Sequence, residues 1–319
     1  MSYKIAWVSE KNNLSGSLVR LEKLELKHGQ VRVRVMRVGL CRTDIQQMKA
    51  PKKEGLVLGH EGSGSVVESF SDKFCVGDGV MWFPYSAGPS SLCESDEILF
   101  DSNFKKENDI GRNQEWSSWG VDEDGVCAEE IVVPAASLIK KPLHWSWELA
   151  AYYEPVLAAL APFKGRESDL SNKKIGLWGE GRIAHLTERL IETHGGTAVR
   201  VGSNFASKDQ QLDGFIECSL PCPFEHFISL LRPSSFIVVK SRGAHQISIP
   251  SSLVVQKELT IRGCWYGESD AALVWMEANK IFLETLFGPV FPMSPEGLGA
   301  ALEEEKKEKV KVFINPQKC

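Results

Sequence analysis

A thiol, a hydroxyl and a carboxylate fall close together in Gly39-Leu40-Cys41-Arg42-Thr43-Asp44, and an imidazole and a second carboxylate follow in Gly59-His60-Glu61-Gly62. Sulfur, imidazole nitrogen and carboxylate oxygen are the donors that a borderline-soft ion such as zinc takes. The spacing is neither a Cys-x-x-Cys pair nor a zinc finger. Taken alone, the two segments fit a buried thiol beside a hydrogen-bonded histidine equally well.

A second constellation lies in the other half of the chain. Gly179-x-Gly181-x-x-Ala184 stands between residues 174–178, which read as a short buried strand, and residues 185–193, which read as a helix closed by Gly195-Gly196. In that setting the first glycine makes the turn, the second lets a pyrophosphate approach the backbone, and the small third residue lets helix pack on strand. Gly179, Gly181, Arg182, Ile183 and Ala184 are therefore the candidate dinucleotide-binding residues, with the helix N-terminus facing the phosphates. The next strand ends in Gly202-Ser203-Asn204, where an NAD site normally carries an acidic residue. The hydroxyl of Ser203 and the amide of Asn204, with Arg200 and Lys208 near, suit a 2'-phosphate better and favour NADP over NAD.

The elements that must position these groups can be read from periodicity. Residues 31–38 alternate apolar and basic side chains, which predicts a strand with one buried face, delivering Cys41 at its end. Residues 62–68 and the stretch after Gly77-Asp78-Gly79 predict two more strands, and residues 125–134 another. Residues 84–124 lose the pattern and form a long loop or lobe, a kind of segment that is usually functional. Residues 145–163 read as an apolar helix interrupted at Glu154-Pro155, where the proline forces a start or kink and the carboxylate needs a partner. From residue 174 onward strands (198–201, 214–218, 236–239, 259–263) alternate with helices such as 224–231, which argues for a parallel sheet with crossover helices. The tail adds a helix over 271–278, a charged solvated turn over 303–309 and a strand over 310–314.

Composition bounds the function. With 319 residues, 43% hydrophobic and 25% charged, the chain is expected to fold as about two domains with a sizeable core. A formal net charge of -5 offers no basic field for a nucleic acid, and no apolar run approaches the ~20 residues that span a bilayer. The eight cysteines follow no spacing pattern, and the N-terminus turns polar too soon for a signal peptide, so reduced thiols and a cytoplasmic location are expected.

In order and spacing the motifs resemble the zinc-dependent medium-chain dehydrogenase/reductase family, the alcohol, polyol and threonine dehydrogenases. The resemblance runs over nearly the whole chain: Gly39 to Asp44, Gly59-His60-Glu61, Val76-Gly77-Asp78, Asp124-Gly125 to Pro134, Glu154-Pro155, the Gly179 turn and the closing Lys309-Val310-Lys311-Val312-Phe313. It implies a partly open, GroES-like β-barrel catalytic domain over residues 1–157, completed by 284–319. It also implies a doubly wound Rossmann domain over 158–283, with the active site in the cleft between the two. Cys41 and His60 match zinc ligands, and Glu61 matches the carboxylate that lies beside the metal and can replace water on it. Glu154 matches the further ligand of the polyol and threonine branch, Thr43 the hydroxyl that relays the substrate proton, and Asp44 the carboxylate that orients His60. Implied too are one catalytic zinc, NAD or NADP, a secondary alcohol or ketone substrate on a polyol, cyclitol, sugar or amino alcohol, and a homodimer or homotetramer.

Two departures stand out. The family's second, structural zinc needs four closely spaced cysteines, but residues 84–124 hold only Cys93, so that zinc is expected to be absent and Trp116 and Trp119 to help hold the lobe. The stretch between Ser203 and Asp213 leaves little room for the usual helix. An alternative reading is a catalytically silent nucleotide-binding member acting as a sensor or partner protein; a zinc-free reductase of the quinone type is a third. His185, His194, His226 and His245 read as surface or helix-end histidines, and Cys218 and Cys222 as buried thiols.

Overall fold

The computed structural model describes residues 3–10, 13–87, 116–164, 170–202, 211–241, 246–307 and 309–318. Two compact units result, Met1–Glu154 with Lys280–Cys319, and Pro155–Asn279.

The first unit begins with β1 (Tyr3–Glu10) and β2 (Asn13–Glu22), paired antiparallel. β3 (Gln30–Gly39) keeps the predicted alternation: Val31, Val33 and Val35 are fully buried, while Arg32 and Arg34 between them pair with Glu68 and Glu130. Helix α1 (Arg42–Lys49) follows directly, then β4 (Glu61–Ser69), β5 (Gly79–Trp82), β6 (Tyr85–Ala87), β7 (Trp116–Ser118), β8 (Glu130–Pro134), β9 (Leu138–Lys140) and α2 (Trp147–Ala151). Trp119 is buried and its indole N–H donates to the Phe83 carbonyl at 3.0 Å. Cys93 and most of the lobe lie outside the described residues, as does the side chain of Trp116.

α3 (Tyr153–Leu160) leads into the second unit. The interruption expected at Glu154-Pro155 falls two residues earlier, at Tyr152. Pro155 then sits in the first turn of a new helix, where its missing N–H costs nothing. The second unit contains β10 (Lys174–Trp178), α4 (Arg182–Thr193), β11 (Thr197–Arg200), β12 (Leu212–Glu217), α5 (Phe224–Ile228), β13 (Leu231–Val239), α6 (Ser251–Gln256), β14 (Thr260–Gly263) and α7 (Ser269–Ala278). Its five strands among the described residues are all parallel, in the order β11-β10-β12-β13-β14. Strand order reverses at β10, so the Gly179 turn leaves the carboxyl end of the strand at a topological switch point, where doubly wound sheets take their ligands. The core here is aromatic, with Phe215 stacked on Phe227 at 5.1 Å.

The chain returns to the first unit through α8 (Lys280–Glu284), β15 (Phe287–Pro292), α9 (Pro295–Glu305) and β16 (Lys311–Asn315). The charged turn expected over 303–309 is partly the end of α9, and Glu305 is buried rather than solvated. β16 completes a seven-stranded sheet in the order β15-β16-β3-β4-β5-β9, with β8 also on β3. Gly39 of β3 thereby faces Glu61 of β4 on one side and Phe313 of β16 on the other. Every group of the first constellation is thus tied to one end of β3. No helix among the described residues is long and apolar enough to cross a membrane.

Candidate metal centre and glycine turn

Cys41 sits just past the end of β3, at the N-cap of α1. Asp44, at the third helical position, reaches back, and its Oδ2 accepts the Cys41 backbone N–H at 2.8 Å. Such a reciprocal cap normally begins with serine or threonine. The other oxygen, Oδ1, accepts the Gly59 N–H at 3.0 Å and lies 3.5 Å from His60 Nδ1. One buried carboxylate therefore fixes both segments. Gly59, at φ +92, makes the tight approach possible.

Donor atoms of Cys41, His60 and Glu61 lie within 4.8 Å of one another, and no other group of this kind occurs among the described residues. His60 and Glu61 are buried. Thr43, half-buried in the first turn of α1, places Oγ1 3.8 Å from the Cys41 sulfur. Glu154 is buried in the first turn of α3 and close enough to act electrostatically on Glu61, but it is not one of the donors within 4.8 Å.

The electrostatics follow from packing these groups without water. Burial alone would push the Cys41 thiol up, but the charge and hydrogen bond of His60, joined by Lys311, bring it down to about 7. Burial likewise opposes charge on His60, yet the Asp44 carboxylate and the Cys41 sulfur hold its pKa well above the ordinary histidine value. Glu61 is pushed well up, first by burial and then by Cys41 and Glu154, against the pull of Lys311 and His60. A buried set of one sulfur, one imidazole and clustered carboxylates is relieved by a cation, and those donor types are the ones zinc takes. His60 Nδ1 also lacks a hydrogen-bond partner of ordinary length, and its position opposite Asp44 leaves Nε2 as the ring's other donor. The residues present fit a zinc ion.

Lys311 escaped the sequence reading as a site residue. Its ammonium is buried, pairs with Glu61 Oε2 and donates to the Leu40 carbonyl at 2.9 Å. The contact with Glu61 lacks the alignment of a hydrogen bond, but Coulomb attraction needs none. The available signal was a lone lysine inside the apolar run Val310-Lys311-Val312-Phe313-Ile314.

In the second unit Gly179 has φ +120, and an added Cβ would press on Ser219 at 3.2 Å. Gly181 is the N-cap of α4, and a Cβ there would meet nothing within 4 Å, so the backbone is open to a ligand. Arg182 and Ile183 open the helix, and Ala184 is buried. Ser203 and Asn204 lie outside the described residues, as do Lys208 and His245. Arg200 donates to Glu188 Oε2 and to the Gly179 carbonyl, both at 2.6 Å. Its guanidinium is therefore engaged in bracing the glycine turn. Glu217, also unread in the sequence, ends β12 fully buried and accepts the N–H groups of Lys240 and Ser241 at 3.1 and 2.9 Å, tying down the end of β13. Burial pushes the Cys218 thiol up to about 12, and raises Cys222 as well.

Residues 27–143 match the alcohol dehydrogenase GroES-like domain family. Over 196 residues the chain is 25% identical to alcohol dehydrogenase 13 of Catharanthus roseus, covering 57% of this chain and 52% of the relative. Over 150 residues it is 30% identical to the L-threonine 3-dehydrogenase of Paraburkholderia phymatum, covering 44% of this chain and 40% of that protein. These matches span about half the length of the two relatives or less. The 2R,3R-butanediol dehydrogenase of Bacillus subtilis shares the fold over 99% of this chain and all of its own, with a TM-score of 0.78 at 21% identity. Residues 27–143 therefore carry an alcohol dehydrogenase GroES-like domain, and nearly the whole chain has the fold of the butanediol dehydrogenase.

Proposed function

We propose that the protein is a zinc-dependent oxidoreductase that moves a hydride between a nicotinamide cofactor and a secondary alcohol or its ketone. The alcohol would be a polyol, cyclitol, sugar or amino alcohol. The observation that carries the reading is the Cys41–His60–Glu61 cluster, braced by one carboxylate at the end of β3.

Cys41, His60 and Glu154 would hold the zinc, with Glu61 beside it. Zinc would supply Lewis acidity toward the substrate oxygen, and the nicotinamide the hydride acceptor. Asp44 keeps the imidazole oriented and the two ligand-bearing segments in register. The hydroxyl of Thr43 is placed beside the cluster to take the proton of the substrate alcohol in one direction and return it in the other. In the second unit the Gly179–Ala184 turn and the first turn of α4 would receive the pyrophosphate. β11 carries no carboxylate at its described end, which supports NADP, with NAD as the other outcome.

Turnover on a panel of secondary alcohols with each cofactor tests the reading. Oxidation by the native chain that disappears in Cys41→Ser is expected; equal turnover in both would overturn the site assignment. A zinc-loaded chain inert toward the whole panel would leave a silent nucleotide-binding protein.

A further inference from the structure

Glu61 is close enough to Cys41 and His60 to ligate the same ion, yet it is also paired with Lys311. We propose that Lys311 is a positioning residue of the metal centre: its ammonium holds the Glu61 carboxylate back from the ion, keeping a coordination position open for substrate. This rests on the metal-site reading above.

The ammonium is fixed more firmly than the carboxylate. Lys311 stands on β16, which pairs with β3 at Phe313 opposite Gly39, and its Nζ is anchored on the carbonyl of Leu40, the residue before Cys41. A Cβ at Gly39 would overlap Glu61 Oε2 and come within 3.0 Å of Lys311 Cε, so the pair is packed directly against bare backbone. Both side chains are nearly inaccessible, at 3% and 2% exposure, so water does not screen the competition for the carboxylate. Two cations then compete for Glu61, and only one of them is built into the chain. While Lys311 is present, the charge of the carboxylate is answered from within the protein. Without it, a buried unpaired carboxylate is left beside a metal ion and becomes a permanent ligand.

Cobalt(II) loaded in place of zinc reports the coordination number directly through its visible absorption. In Lys311→Met the number of ligands rises by one, the absorption weakens, and loss of zinc to a chelator slows roughly tenfold or more, the usual range for changes around a ligand shell. Lys311→Arg keeps the native spectrum. An unchanged spectrum and release rate in Lys311→Met would overturn the proposal. Should that variant fail to fold, Glu61→Gln in the otherwise native chain decides: an unaltered cobalt spectrum means Glu61 is held off the ion, and an altered one means that it ligates despite Lys311. A native chain that takes up no Co2+ would instead overturn the metal-site reading on which the proposal stands.

Discussion

Two cysteines, one in each unit, show what separates a reactive site from a core. Cys41 and Cys218 are both half-buried, and burial alone pushes either thiol up. Cys218 ends at about 12 because burial outweighs what Lys240, the Thr187 hydroxyl at 3.7 Å and Arg200 supply, and Glu217 opposes them. Cys41 ends at about 7 because His60 and Lys311 are packed against it by three strands and a helix cap. The charges arranged around a group decide its chemistry, and arranging them takes most of the fold of the first unit.

The largest effect should come from the brace. Asp44→Ala removes two backbone hydrogen bonds to a charged acceptor and the orienting partner of His60, a loss of about 3–5 kcal/mol in stability together with roughly a hundredfold in zinc affinity. Urea unfolding and chelator competition measure the two separately. An Asp44→Ala chain with native zinc affinity would mean that the two ligand segments need no common brace.

Next is thiol reactivity. At pH 8 a thiol titrating near 7 is about nine-tenths thiolate, whereas one near 12 is almost wholly protonated. Metal-free protein should therefore incorporate iodoacetamide at Cys41 long before Cys218. Lowering the pH to 6 should slow Cys41 labelling about tenfold, since the thiolate fraction falls to about one-tenth. Added zinc should protect Cys41. Peptide mapping by mass spectrometry reads all three outcomes.

The two glycines of the second unit offer a finer contrast. Gly181→Ala meets open space and should leave the melting temperature unchanged while weakening nicotinamide cofactor binding about tenfold. Gly179→Ala must adopt φ +120 and should lower stability by about 1–2 kcal/mol or more, whether or not cofactor is present. Smallest of all is Arg200→Ala. Its ion pair with Glu188 is about 30% exposed, so stability should change by less than about 1 kcal/mol, and the readout is the ratio of NADPH to NADH affinity.

Much of this was legible in the chain itself, and the gaps have physical reasons. The alternation of residues 31–38 survives because one face of β3 is buried and the other carries arginines, and the strand-turn-helix around Gly179 is a local pattern that needs no distant partner. Cys41, Thr43, Asp44, His60 and Glu61 announced themselves through their residue types. α1 did not, because its cap is a cysteine rather than a serine or threonine, and the reach-back of Asp44 is visible only in space. β2, β15 and α9 went unread, since β2 is broken by Gly16, β15 by Gly288 and Pro289, and α9 is weakly patterned. Lys311 is the sharpest omission. Its role depends on β16 returning across the sheet to lie beside Gly39, a pairing that spans most of the sequence.

The most direct test is zinc per chain, measured on protein purified without chelator, for the native chain and for Cys41→Ser. The account predicts one zinc in the native chain and almost none in the variant, with both proteins folded. Equal zinc in the two, or none in either, would contradict the claim that Cys41 and His60 anchor the metal on which the proposed chemistry depends.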